Sequence, residues 1–388
     1  MRRWPGHLVA GAIGAVAGSL VMLALPVPGS IDPRPSPPAP SVEPAEVDTL
    51  LVWTPSQIPD GLPERIAGLR SVAALTVVRS GVAWLDAWGD DDDIRNAPRG
   101  YAIPLEVAAV DTMSYRSFVP PADRSTVAGI DRGGAILGAS SAELRELDIG
   151  GHLRLGRRIV TVEGVLDDTL VGAHELVVGL EDGIELGIDR ARYILVEPTS
   201  GADPASVEAA IRRVVPGDVR VRIRRPGETP VFRHGDAVLP QIGVKELFGE
   251  FAAAPRSDGT LAVDPEWERD NITTGPVPVL GRVRCHRLVL PLVRAALQDL
   301  DRRGLGRLVN PADFGGCYYP RFIASDAGTG LSHHSWGIAI DINVSEGLPG
   351  RQPTLDRRVV DAFENQGFIW GGRFLIPDGT HFEFQRFP

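Results

Sequence analysis

Gly330 to Asn343 reads GLSHHSWGIAIDIN, and from Gly337 the stretch alternates. Ile338, Ile340 and Ile342 fall on one face; Gly337, Ala339, Asp341 and Asn343 fall on the other. Such a strand seats its isoleucines in a core and points Asp341 the opposite way, with Gly337 and Ala339 leaving space beside it. His334 stands just before the strand, so His334 and Asp341 are placed to approach one ion. A zinc ion that performs chemistry takes three protein ligands and keeps a position for water, so a third ligand is expected from elsewhere. The chain closes with DGTHFEF, Asp378 to Phe384, a second alternating segment in which Phe382 and Phe384 point away from His381. His381 completes a two-histidine, one-carboxylate set. Asp378, three residues earlier at the turn, is free to take a proton from water that the metal activates.

The surrounding pattern adds two helices to these strands. Leu290, Val293, Leu297 and Leu300 share one face of a helix over 287–303, with Pro291 in its first turn, where a missing N–H is tolerated. A second amphipathic helix spans 355–366 and stops at Gly367; Phe368 to Trp370 then starts a strand.

At these residues the chain resembles a known family. S-x-H-x-x-G-x-A-x-D-I, Ser332 to Ile342, followed by acid-x-x-His, Asp378 to His381, is similar to the VanY-type D-alanyl-D-alanine carboxypeptidase family of zinc peptidases. The run FIWGG followed by DGTHFEF is more similar to the branch that includes phage L-alanyl-D-glutamate endolysins, where Asp is the base in place of Glu. The resemblance covers residues 275–388 and implies a small α+β domain there with a central antiparallel sheet, Zn²⁺ held by His334, Asp341 and His381, and Asp378 as general base. It implies further that Arg321, in GGCYYPRFI, binds substrate and stabilises an oxyanion, with the Ser332 hydroxyl near it. The substrate implied is an amide of the peptidoglycan stem peptide; carboxypeptidase and endopeptidase both remain open, as does the stereochemistry of the bond. The alternative is a zinc-stabilised binding module without catalysis, a use the fold has in Hedgehog signalling domains, and Asp378 favours the enzyme. His333 is adjacent to the expected ligand, but motif register selects His334. Glu383 shares a face with His381 and suits an orienting role, whereas His286 reads as surface or packing. Trp336, Phe368 and Trp370 suit either a groove or the core.

Upstream, residues 47–234 read as an α+β domain without a catalytic constellation. Pro63 opens a helix over 62–72, and Val72 to Val78 is a strand. Ser140 and Glu143 make a capping box for a helix that Gly150 and Gly151 stop. Leu153 to Leu166 is two strands about Gly156, and Asp203 with Pro204 starts a helix to Val215. The order of elements from Gly134 to Val177, with DIGG after the helix and VTVEGVL in the hairpin, resembles the periplasmic core of MacB-like and FtsX-like permeases. That resemblance implies contact with a protein partner. His152, His174 and His234 lack ligand spacing, and Asp90 to Asp93 reads as a solvated acidic loop. Residues 235–274 show little periodicity and are expected to be a linker.

The chain has 388 residues, 43% of them hydrophobic, with a net charge of −10. This excludes wholesale disorder and a polytopic membrane protein, and the acidity argues against nucleic acid as a partner. Arg2 and Arg3 precede Leu8 to Leu25, which carries no charge, so residues 1–25 read as a signal anchor or signal peptide that places the rest outside the membrane. Pro-rich residues 26–46 read as an extended linker. Cys285 and Cys317 are the two cysteines; export permits a disulfide, and a cytosolic location would leave buried thiols. Lys245 is the one lysine among 40 basic residues.

Overall fold

Within Ile103–Val110, Ile103, Leu105, Val107 and Ala109 enter one core cluster, while Ala108 and Val110 enter another. That period of two is the signature of a strand buried on both faces. The structure is a computed structural model that describes residues 49–388 apart from 91, 132, 226, 227, 229–238 and 348. The expected anchor at 1–25, the linker at 26–46 and His234 lie outside the described residues. None of the described helices is long and apolar enough to cross a membrane.

Ten strands form the larger sheet: β1 (Leu50–Trp53), β2 (Val72–Asp90), β3 (Asp93–Asn96), β4 (Ile103–Val110), β5 (Gly134–Gly138), β6 (His152–Leu155), β7 (Arg158–Leu166), β8 (Leu176–Gly179), β9 (Ala191–Pro198) and β10 (Arg222–Arg224). Their order is β10-β1-β9-β2-β4-β8-β5-β7-β6, with β3 on β2. The strand expected at 72–78 runs on for 19 residues. Its length lets it pair with β9 and β4 first and with β6 at its end, so that β2, β4, β8, β5, β7 and β6 close a cycle of pairings. Parallel pairing occurs between β4 and β8 and between β5 and β7. The helix Pro204–Val214 starts as expected, with the Asp203 carboxylate accepting from Ser206 N–H at 3.0 Å. The helix expected from Ser140 differs. It runs Ala139–Arg145, so Ser140 lies inside it, and the Asp168 carboxylate, from a distant loop, accepts from Ser140 N–H at 3.2 Å. It ends at Glu146 in the left-handed conformation, φ 51°, before either glycine is reached. The long-range carboxylate replaces the local cap, which the sequence could not show.

Residues 239–388 hold a separate core. The expected linker is largely structured: a helix at Gln241–Phe248, a hairpin of β11 (Ala253–Pro255) and β12 (Leu261–Val263), and a helix at Pro265–Asn271. Val244, Phe248, Phe251, Leu261, Val263 and Trp267 are buried in the same cluster as the isoleucines of the 330–343 segment. Elements of three to eight residues are too short for a period to show, which is why the segment reads as a linker. Next come the hairpin of β13 (Ile272–Val277) and β14 (Gly281–His286) and the helix Leu290–Arg302, whose four expected residues are all buried. The last sheet is antiparallel, β15 (Ala339–Asp341), β17 (His381–Phe384) and β16 (Phe368–Trp370) in spatial order β15-β17-β16. The whole is mixed α+β.

Candidate metal centre

Ser332 starts the site. Its Oγ accepts from His334 N–H at 3.4 Å and caps a short 3₁₀ turn, His333–Trp336, that delivers His334. Gly337 ends this turn at φ 67° and lies outside β15. A Cβ there would meet His286 N at 2.7 Å, so this glycine makes room for the β14 backbone, not for the metal as its alternation suggested. Ile338, Ile340 and Ile342 are fully buried, as their face requires. In the β15–β17 register Asp341 stands opposite His381. Pairing thus joins two side chains 40 residues apart, while the turn supplies the third.

His334, Asp341 and His381 come together with one ligand atom from each within 4.8 Å of the others, a cluster suited to a metal ion. His381 Nδ1 lies 2.8 Å from Asp341 Oδ1, and His334 Nε2 lies 3.2 Å from Asp341 Oδ2. His334 Nδ1 is 2.8 Å from the carbonyl of Cys317. A carbonyl only accepts, so Nδ1 carries the proton and Nε2 presents a lone pair. That Nε2 is buried and has no hydrogen-bond partner. A lone pair facing a carboxylate oxygen is repulsive unless a cation lies between them, and a His-Asp-His set is one that Zn²⁺ accepts. The residues fit the ion.

Outer groups hold these donors. A disulfide joins Cys317 to Cys285, with Cα atoms 5.3 Å apart, so the carbonyl that orients His334 is tied to β14. The bridge therefore reaches the strand before the 290–302 helix. Glu383 is buried; its Oε2 lies 3.0 Å from His333 Nδ1 and 3.6 Å from His381 Nε2. His333 thus faces the orienting carboxylate, not the ion cluster. Burial disfavours charge on Glu383, but His333 and His381 hold its carboxyl well below the ordinary range. While no cation lies in the cluster, burial opposes charge on His381, yet Asp341 and Glu383 outweigh it and raise its pKa to about 10.

The remaining expected residues sit around this centre. Ser332 N–H donates to Arg321 O at 3.1 Å, so those two are backbone neighbours. The half-buried Arg321 side chain donates from Nη1 to Phe322 O at 3.3 Å and lies 5.8 Å from the Tyr319 ring centre. Asp378 is half-buried, and its Oδ1 accepts from the Thr380 hydroxyl at 2.9 Å; the contacts it makes are to Thr380 and backbone, not to the three clustered side chains. Trp336 and Phe368 are core residues. His286 is buried, with Nε2 3.2 Å from Phe248 O, and burial lowers its pKa to about 4. His152 and His174 lie beside Thr161 and Ser80 respectively. Sequence reasoning missed the part played by the 241–251 segment: Trp336 Nε1 donates to Gly249 O at 3.1 Å, and Phe248 packs edge-on against Phe384. The repeated aromatics were the one available signal.

The family model described as D-alanyl-D-alanine carboxypeptidase matches residues 325–384. No curated protein matches the chain. Solved structures similar to it include the periplasmic region of MacB from Actinobacillus actinomycetemcomitans, 10% identical with TM-score 0.33, covering 46% of this chain and 88% of that one. The extracellular domain of the ABC-type transporter YknZ from Gram-positive bacteria is 15% identical with TM-score 0.30, covering 43% and 92%. A permease domain from Porphyromonas gingivalis is 16% identical with TM-score 0.30, covering 51% and 96%. The matched segment holds the whole His-Asp-His cluster, and the C-terminal part of the chain carries a D-alanyl-D-alanine carboxypeptidase domain of the M15 peptidases.

Proposed function

We propose that the chain is an exported zinc peptidase that hydrolyses an amide of the peptidoglycan stem peptide. The observation that carries this reading is the orphaned, buried His334 Nε2 facing Asp341 inside the segment the family model matches. His334, Asp341 and His381 would hold the zinc, which when bound would supply Lewis acidity and a nucleophilic water near neutral pH. Asp378 takes the proton of the attacking water and returns it to the leaving amine. Its position one turn before His381, half-buried and hydrogen-bonded to Thr380, supports that role. Arg321 offsets negative charge on the substrate or the developing oxyanion, and Ser332 holds His334 through its cap. The disulfide supports an oxidising, extracytoplasmic location, with residues 1–25 as membrane anchor or cleaved signal. Among the described residues, the metal-binding group found lies in this part of the chain, which leaves residues 49–225 for partner contact or control.

Mass spectrometry of muropeptides after digestion, with and without a chelator, tests the reading. New product masses should appear only without chelator; unchanged masses in both would overturn it. Asp378→Ala should keep zinc while kcat falls roughly 10²–10⁴-fold, and full retained activity would remove Asp378 from the base role.

A further inference from the structure

Residues 49–225 touch both loops that flank the metal centre. The first loop, 322–331, joins Arg321 to Ser332. Arg190 reaches its tip with a two-pronged ion pair to Asp326, Nη1–Oδ2 2.6 Å and Nη2–Oδ1 3.1 Å. Gly328 permits this: a Cβ there would lie 2.2 Å from Arg190 Cζ. The second loop, 371–380, carries Asp378. Arg220 Nη1 donates to Leu375 O at 3.2 Å, and Leu375 packs against the core cluster that contains Val78 and Tyr193.

These contacts differ in kind from the joint behind the site. Arg145 Nη2 lies 2.7 Å from Glu175 and 2.6 Å from Glu250; Lys245 Nζ lies 2.7 Å and 2.8 Å from the same two carboxylates. The Arg145, Glu175 and Lys245 side chains are fully buried, so parting them would strand charges away from water. Phe248, on the same helix as Lys245, packs on Phe384, on the face of β17 opposite His381. Arg190 and Asp326, by contrast, are 38% and 45% exposed, and such a pair is weak and screened by salt. The first loop is also held in an unfavourable backbone: Ala324 and Ser325, neither a glycine, sit at φ 52° and 56°. Its base stays fixed, since Phe322 packs edge-on against Trp84.

With both loops held, His334 is 2% exposed and the side chains of Asp341 and His381 are 21% and 14% exposed. Phe374, on the second loop, has its ring centre 6.0 Å from that of His381, so movement of that loop would widen access to this ligand. We propose that residues 49–225 gate the metal centre, holding the tips of loops 322–331 and 371–380 closed by breakable contacts while the buried Arg145–Glu175–Lys245–Glu250 cluster keeps the two parts joined. The gate rests on the metal-site reading above, and its chemistry makes opening sensitive to ionic strength.

The test uses the full chain loaded with zinc and the double variant Arg190→Ala with Arg220→Ala. Zinc release to excess EDTA and zinc uptake should both accelerate several-fold, by the same factor, leaving Kd unchanged. Hydrogen exchange should rise in 322–331 and 371–380 and stay the same in 241–248. Raising salt should speed release from the unmodified protein more than from the variant. Unchanged release and exchange would overturn the gate; a changed Kd would mean that the contacts shape the site instead, which also overturns it. Faster loop exchange and release in a protein that cleaves no muropeptide would leave the gate standing and remove the peptidase reading. Cleavage with no change in release or exchange would do the reverse.

Discussion

His286 sits between Phe248 and Trp267, and its ring is held neutral: Nε2 donates toward Phe248 O while Nδ1 accepts from Leu288 N–H. Its pKa is about 4 in the folded chain against an ordinary 6.5. The folded value is the lower one, so the unfolded chain binds a proton first as pH falls. The stability contribution is complete above about pH 6.5 and is lost as pH drops toward 4, by about 2 kcal/mol between pH 7 and pH 5. Urea titrations of the zinc-free protein at those two pH values should show the loss, and His286→Gln should reduce it; equal pH dependence in both would remove His286 as the cause. The same residue shows how far sequence reading reaches. That His286 is not a ligand was legible from its lack of a partner at motif spacing, whereas its acceptor, 38 residues upstream, was not.

Among elements, the short 3₁₀ turn His333–Trp336 bears most on the site and has least stability of its own. It is held from outside, by the Cys317 carbonyl on His334 and by Gly249 on Trp336. The Cys285–Cys317 bridge closes a sequence separation of 32 residues, and loop closure of that size is worth about 2–4 kcal/mol. Reduction should therefore lower stability by that amount and weaken zinc binding, because the carbonyl that fixes the His334 tautomer loses its tether. Chelator competition before and after reduction measures it, and an unaltered zinc affinity would show that the carbonyl is held without the bridge. Strand alternation made β17 and the isoleucine face legible. The 241–271 elements were not legible, because each is shorter than the window in which a period can be recognised.

For the molecule as a whole, the single lysine has a tertiary meaning. Lys245 is buried against Glu175 and Glu250, its Nζ also 2.7 Å from Pro104 O, at the junction of residues 49–225 with 239–388. Burial alone would keep Glu175 neutral; Lys245 and Arg145 hold its carboxyl below the ordinary range. Lys245→Met removes one cation and leaves the carboxylates undercompensated, at a cost of about 3–5 kcal/mol. Chemical denaturation should report that loss, and an amine reagent should label Lys245 only as the chain unfolds. A loss under 1 kcal/mol, or ready labelling of the native protein, would show that water reaches the cluster.

The donor set and part of its aim were determined by sequence: His334, Asp341 and His381 stand in recognisable motifs, and the alternation of the two strands sets which way Asp341 and His381 point. Local pattern suffices there because a period of two orients a side chain without reference to anything distant. What only the tertiary structure decided is long-range. Asp341 meets His381 by strand register, the Cys317 carbonyl selects the His334 tautomer, Asp168 caps a helix nearly thirty residues earlier, and an unpatterned stretch becomes the floor of the core. Each depends on groups far apart in the chain meeting at hydrogen-bond distance, and no residue carries in its neighbours the identity of a partner that folding brings to it.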